Sequence, residues 1–225
     1  LDRLSMLMCI IIAFVGGVIC IYAVGYMKAY HIHHKEYADR SSFFLSMLFL
    51  FLAAMFGLVL SSNLVWLYFF WEITSVISFL LIGYTRTDEA VDNSFRALWM
   101  NLLGGLGFAA AIVYSAVVYG TVELQTIILT GGAIPLVCLS LAGLTKAAQM
   151  PFSSWLLGAM VAPTPSSALL HSATMVKAGV YLLIRLAPAL SGTLTGTMVS
   201  FIGGYTFIAA SMKAIAQNDA KKVLA

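Results

Sequence analysis

Apolar residues fill the chain in long blocks separated by short polar stretches. Six blocks, 4–27, 41–61, 63–84, 94–119, 165–187 and 197–214, each suit one helical crossing of a bilayer, which takes about 20 residues. A further block, 131–160, is too long for one crossing and contains Pro151. Proline has no N–H, so the carbonyl of Ala147 is expected to lose its helical partner there. This block is predicted as two half-helices, 131–148 and 151–160. Thr164 and Pro165 predict the next start, with threonine as N-cap and proline at the first helical position. The stretch 120–130 reads as a short interfacial connection. The expected fold is an all-α polytopic membrane protein of about seven transmembrane helices, one of them broken at mid-membrane. Residues 1–225 are expected to form a single transmembrane domain.

Composition agrees. Of 225 residues, 61% are hydrophobic and 9% charged, against about 25% charged in a soluble domain. Cys9, Cys20 and Cys138 lie in apolar blocks at no metal-ligand spacing and read as packing residues. Leu1 is not a start methionine, and the tail KKVLA resumes an apolar run, so the chain is expected to be a piece of a longer protein.

Charge sets an orientation. With seven crossings, one side receives Lys28, Lys35, Arg40, Arg86, Arg96, Lys213, Lys221 and Lys222, and the other only Arg3 and Arg185. Eight against two is a positive-inside asymmetry. It places the start of the first helix outside and the end of the last one in the cytoplasm. The implied location is a cell inner or cytoplasmic membrane.

Once the loops are set aside, Glu72, Lys146 and Lys177 remain as full charges within the membrane, with His171 as a titratable neighbour. A charge in hydrocarbon costs several kcal/mol and marks a functional position unless it only pairs for packing. Lys146 stands out because a helix break follows it, and freed backbone beside a charge suits an ion or proton path. Loss of water favours the neutral forms of carboxyl and amine alike, and a nearby opposite charge favours the ionised forms. Glu72 beside Lys146 would therefore be a two-state switch, with His171 and Lys177 continuing a relay. On a regular helix His171 and Lys177 point roughly 120° apart, toward different neighbours. The triplet His31, His33 and His34 has no second ligand group and reads as a solvated loop. No CxxC cluster, glycine-rich nucleotide loop or metal box is present, so no cofactor, metal or nucleic-acid partner is expected.

Three stretches, FFWEITSVISFLLIGY, LTKAAQMPFSSWLLGAMVAPTPSSALLHSATMVKAGVYLLIRLAP and AIAQNDAKKVLA, resemble the antiporter-like membrane subunits of the respiratory complex I superfamily. That superfamily includes the proton-pumping subunits of NADH:quinone oxidoreductase, the large subunit of Mrp-type Na+/H+ antiporters and the membrane arm of energy-converting hydrogenases. The resemblance covers essentially the whole chain, as the third to ninth of about fourteen helices. It implies that Glu72 is the family's key glutamate, Lys146 the pump lysine of the broken helix and His171 part of a connecting proton path. Lys177 falls where only some members carry lysine. The implied partners are other membrane subunits, lipid, H+ and possibly Na+. The implied function is a proton-translocating subunit of a redox-driven pump, with no redox centre of its own. The alternatives are the large subunit of a multi-subunit Na+/H+ antiporter and, outside the family's chemistry, a membrane scaffold whose buried charges only specify packing.

Overall fold

The computed structural model describes residues 2–224, the side chains of 172 and 173 excepted. Among the described residues it is mainly helical, with no strand. Six helices are long and apolar enough to cross a membrane: α1 (Arg3–His33), α2 (Ser41–Leu60), α3 (Leu64–Ile82), α4 (Asp88–Tyr119), α8 (Thr164–Leu190) and α9 (Leu194–Ile215). Between them lie the short helices α5 (Leu124–Thr130), α6 (Ala133–Lys146) and α7 (Ser154–Gly158), and α10 (Ala220–Leu224) follows α9. The seven expected spans therefore correspond to six long helices and the shorter apolar α6.

Local chemistry starts several of these helices where the sequence turns polar. The Asp2 carboxylate accepts from the Ser5 amide at 2.7 Å. Asn63 accepts from Val65 N–H at 2.9 Å, Thr87 from Ala90 N–H at 3.2 Å and Thr193 from Gly196 N–H at 3.1 Å. Each side-chain oxygen satisfies an amide that the helix itself leaves without a partner. α8 begins at Thr164 itself, so its N-cap is Pro163 and Thr164 caps nothing through its side chain. Stretch 120–130 is largely the seven-residue α5, anchored to the start of α3 by Leu64 N–H to Val122 O at 2.8 Å and Leu124 N–H to Ser62 O at 2.9 Å.

Irregular turns interrupt three of the long helices. Wide π-helical turns occur at Ile12–Gly16 in α1, Ser115–Tyr119 at the end of α4 and Leu169–Ala173 in α8. In α8 the helix breaks outright at Thr174, whose φ of −132° and ψ of −85° are not helical. Such insertions cluster at functional positions. α1 also runs past the expected 4–27 to His33, so the histidine triplet is not all loop. The His31 ring ends in the protein, with Nε2 at 2.9 Å from the Tyr84 hydroxyl and 3.5 Å from Asp39 Oδ1.

Helix α4 is the centre of the bundle, packed against α3 on one side and α6 on the other. Glycines make that closeness possible. A Cβ on Gly104 would collide with Thr145 Oγ1, and one on Gly107 would sit 3.0 Å from the Cys138 carbonyl oxygen. Helices in lipid gain from such close backbone approach because burying apolar area yields little there. On the far side of α6, a Cβ on Gly179 of α8 would meet the Gly143 carbonyl at 2.5 Å and the Ala147 nitrogen at 2.6 Å. The opposite face of the molecule is open. Helix α9 buries only Thr206.

Candidate functional site

Helix α6 ends at Lys146, and the way it ends differs from the expectation. Ala148 is left-handed at φ +51°. Its amide donates to Thr145 O at 3.1 Å, and the Gln149 amide donates to Leu144 O at 3.0 Å. These two bonds around a left-handed residue form a Schellman cap, normally built on glycine. The helix therefore closes five residues before Pro151, and the proline does not cause the break. The expected second half-helix, 151–160, reduces to α7 and a single 3₁₀ turn, Ala159–Val161.

The freed backbone is partnered by side chains. The Ala147 carbonyl accepts from Gln149 Nε2 at 3.2 Å, the Thr145 carbonyl accepts from Trp155 Nε1 at 3.1 Å, and the Met150 amide donates to Thr206 Oγ1 at 2.9 Å. Pro151 itself is exposed. A cavity of about 390 Å³ opens beside the break, lined in part by Gln149, Thr206, Ser211, Lys213 and Gln217. It runs from Ala147 toward the end of α9 that carries Lys213.

Lys146 is fully buried, at 0% exposure. Its ammonium donates to the Trp71 carbonyl and to Ser75 Oγ, both at 2.8 Å, and lies 4.8 Å from the centre of the Trp71 ring. All three contacts come from α3. The seat is neutral: a carbonyl, a hydroxyl and an aromatic face. It also suits the last turn of α6, where the helix dipole favours a cation.

Glu72 lies beside this seat and outside hydrogen-bond contact with it. No ion pair within 4.0 Å joins Glu72 and Lys146 among the described residues. Glu72 Oε1 is buried with no hydrogen-bond partner. It points at Gly105 of α4, where a Cβ would collide with it. A buried carboxylate oxygen without a partner is costly and is usually resolved by water, an ion or a moving group.

The other two expected residues lie apart. His171 sits in the π turn of α8, so the regular-helix angle between it and Lys177 does not apply. Its Nε2 is buried without a partner and it lines a second cavity, of about 320 Å³, with Ser167 and Lys221. Lys221, expected in a loop, reaches back to the carbonyls of Met160 at 3.3 Å and Ala162 at 3.0 Å. Lys177 is exposed on α8. The structure thus brings Glu72 and Lys146 together, sets His171 apart beside Lys221 of α10, and leaves Lys177 exposed on α8.

Sequence reasoning missed Trp71 and Ser75, which hold the ammonium, Gly105, which gives Glu72 its space, and Gln149, Trp155 and Thr206, which satisfy the break. Ser75 and Trp71 flank Glu72 at helical spacing, which is the one signal that could have found them. The glycines of NLLGGLG in the middle of a span are the other.

A bundle of helices apolar enough to cross a membrane, built around a buried lysine where one helix ends, defines a polytopic membrane protein with a charge inside its core. Comparison with known proteins sharpens this. The family described as NADH:quinone oxidoreductase/Mrp antiporter, TM matches residues 61–225, and the one described as NADH-Ubiquinone oxidoreductase (complex I), chain 5 N-terminus matches residues 1–44. The chain belongs to the NADH:quinone oxidoreductase/Mrp antiporter family of membrane proteins. It is 38% identical over 235 residues to one subunit of a probable K+/H+ antiporter of Rhizobium meliloti (strain 1021), covering all of this chain and 23% of that protein. It is 37% identical over 236 residues to one subunit of a Na+/H+ antiporter of Staphylococcus haemolyticus (strain JCSC1435), covering all of this chain and 28% of that one. Among solved structures, a chain of the Mrp complex from Dietzia sp. DQ12-45-1b superposes with a TM-score of 0.85 at 32% identity, over 99% of this chain and 25% of that one. The chain thus spans about a quarter of the length of these relatives.

Proposed function

We propose that the chain is part of the large subunit of a multi-subunit cation/proton antiporter, and that Glu72 and Lys146 carry protons through it. The single observation behind this is the Lys146 seat: a fully buried ammonium held by neutral groups, next to an unpartnered carboxylate, where a helix ends inside the bundle.

The chemistry of the seat suits a group that must both gain and lose a proton. A carboxylate seat would hold the charged form firmly. A carbonyl and a hydroxyl hold it less strongly, and the hydroxyl works in both states. Ser75 accepts from the ammonium. After deprotonation it can rotate and donate to the amine. Glu72, close enough to bias the balance, favours the ammonium when ionised and releases that bias when protonated. The cavity beside the break, whose lining includes Gln149, Thr206, Ser211 and Lys213, gives water a route to the end of α6. His171 and Lys177 continue the relay in this reading.

The named relatives exchange K+ or Na+ for H+, which favours an ion-gradient antiporter over the redox-driven pump. Both the reading and the role of Lys146 are tested in inverted vesicles carrying the full-length protein in its complex. Na+- or K+-dependent dissipation of a pH gradient is expected with no electron donor present. Lys146→Met is expected to reduce it by roughly 100-fold or more, as for loss of an essential proton-transfer group. Exchange that persists unchanged in Lys146→Met would remove the relay, and exchange that requires an electron donor would restore the redox reading.

A further inference from the structure

At the end of the bundle where α2 begins, α3 ends and α4 begins, a groove of about 710 Å³ opens between the three helices. Its floor and walls are apolar: Phe43 on α2, Phe79 and Leu80 on α3, and Val91 and Phe95 on α4. Phe79 and Phe95 meet edge to face with ring centres 5.1 Å apart. Phe43, Val91 and Phe95 remain 37%, 36% and 47% exposed. The mouth carries two guanidinium groups, Arg40 and Arg86.

We propose that this groove binds an anionic phospholipid, with its phosphate between Arg40 and Arg86 and an acyl chain along the aromatic wall. This goes beyond the transport reading, which uses none of these residues. Several features favour that occupant. Neither arginine has a carboxylate within ion-pair distance among the described residues. Arg40 is pre-positioned: it donates to the Tyr84 carbonyl and its guanidinium carbon lies 5.2 Å from the centre of the Tyr84 ring. A guanidinium has five N–H donors, so donors remain for an anion. The Ser41 amide at the start of α2 already donates to Asp39 Oδ1 at 2.9 Å, so the donors for an anion here are those of the two arginines. Asp88 and Glu89 open α4 nearby and do not line the groove.

Depth decides between a lipid and a free phosphate. The groove lies at the ends of three crossing helices, at the level where headgroups meet acyl chains, and its walls are almost wholly apolar. A free phosphate would use the two arginines and leave the aromatic wall bare. Basic pockets between helices at this level are where anionic headgroups bind.

The test uses the full-length complex in nanodiscs of phosphatidylcholine alone or of phosphatidylcholine with phosphatidylglycerol, the lipid under test carrying a diazirine on its acyl chain. Photolabelling by phosphatidylglycerol is expected on peptides containing Phe79 or Phe95, with no competition from millimolar inorganic phosphate. Each arginine near an anionic surface is worth roughly fivefold in affinity. Arg86→Gln is therefore expected to lower labelling about fivefold, and Arg40→Gln with Arg86→Gln about 25-fold. Should the double variant fail to assemble, Val91→Trp, which fills the groove and leaves both charges, is expected to abolish acyl labelling. The proposal is overturned if labelling is equal for both lipids, if phosphate competes it away, or if Val91→Trp leaves it unchanged.

Discussion

The carboxylate of Glu72 occupies space that exists only because residue 105 has no side chain. A Cβ there would overlap Oε1. Gly105→Ala must push the carboxylate aside or spread α3 from α4, at a cost of about 1–3 kcal/mol. Because the same displacement changes the distance from Glu72 to Lys146, exchange is expected to fall by roughly tenfold or more while the complex still assembles. Ser75→Ala provides the companion measurement. It leaves Glu72 in place and removes one of the two oxygens holding the ammonium, so it tests the seat separately from the carboxylate. If both variants exchange at the wild-type rate, the Glu72–Lys146 geometry is not what carries protons.

At the scale of elements, the break after α6 is a closed cap, and its sequence is unusual for one. Ala148 takes the left-handed position that glycine fills most easily, a conformation costing an L-residue about 1–2 kcal/mol. Ala148→Gly is therefore expected to stabilise the protein by up to about 1 kcal/mol, after the added flexibility of the unfolded chain is counted. Gly179→Ala, whose Cβ would meet backbone atoms of α6, is expected to destabilise it by about 1–3 kcal/mol. Melting of the purified complex with and without each change measures both, and a lower melting temperature for Ala148→Gly would mean that the cap is not under strain. The same region shows how far the sequence could be read. That a long apolar block with a lysine must be interrupted followed from its length and charge. The place of the interruption did not, because Pro151 is a loud local signal and a Schellman cap on alanine is a silent one. The π turn at Leu169–Ala173 and the break at Thr174 were equally silent: the apolar pattern continues through them, and only the packing of α8 against its neighbours selects them. Glu72 and Lys146 were legible as charges with nowhere to hide. Trp71 and Ser75 were not, because a tryptophan and a serine in a membrane helix are ordinary until a cation is found against them.

Across the whole molecule, one side is finished and the other is not. Helices α3, α4 and α6 are closed around Lys146, whereas α9 leaves Phe201, Phe207 and Ile215 at 74%, 75% and 88% exposure. Lys177 is exposed on α8. An exposed lysine within a span costs about 2.5–3.5 kcal/mol if lipid covers it, and far less if protein or water does. This chain spans about a quarter of the length of the relatives it matches, and what covers Lys177 decides whether a relay from Lys146 can leave through it. Lys177→Cys in the full-length complex separates the possibilities. A cysteine lining a hydrated passage is expected to react with a small water-soluble thiol reagent and to resist a thiol reagent confined to the acyl chains. A cysteine labelled from the lipid and inert to the aqueous reagent would place Lys177 on the outer surface, and the path from Lys146 would then have to leave the bundle by His171 alone.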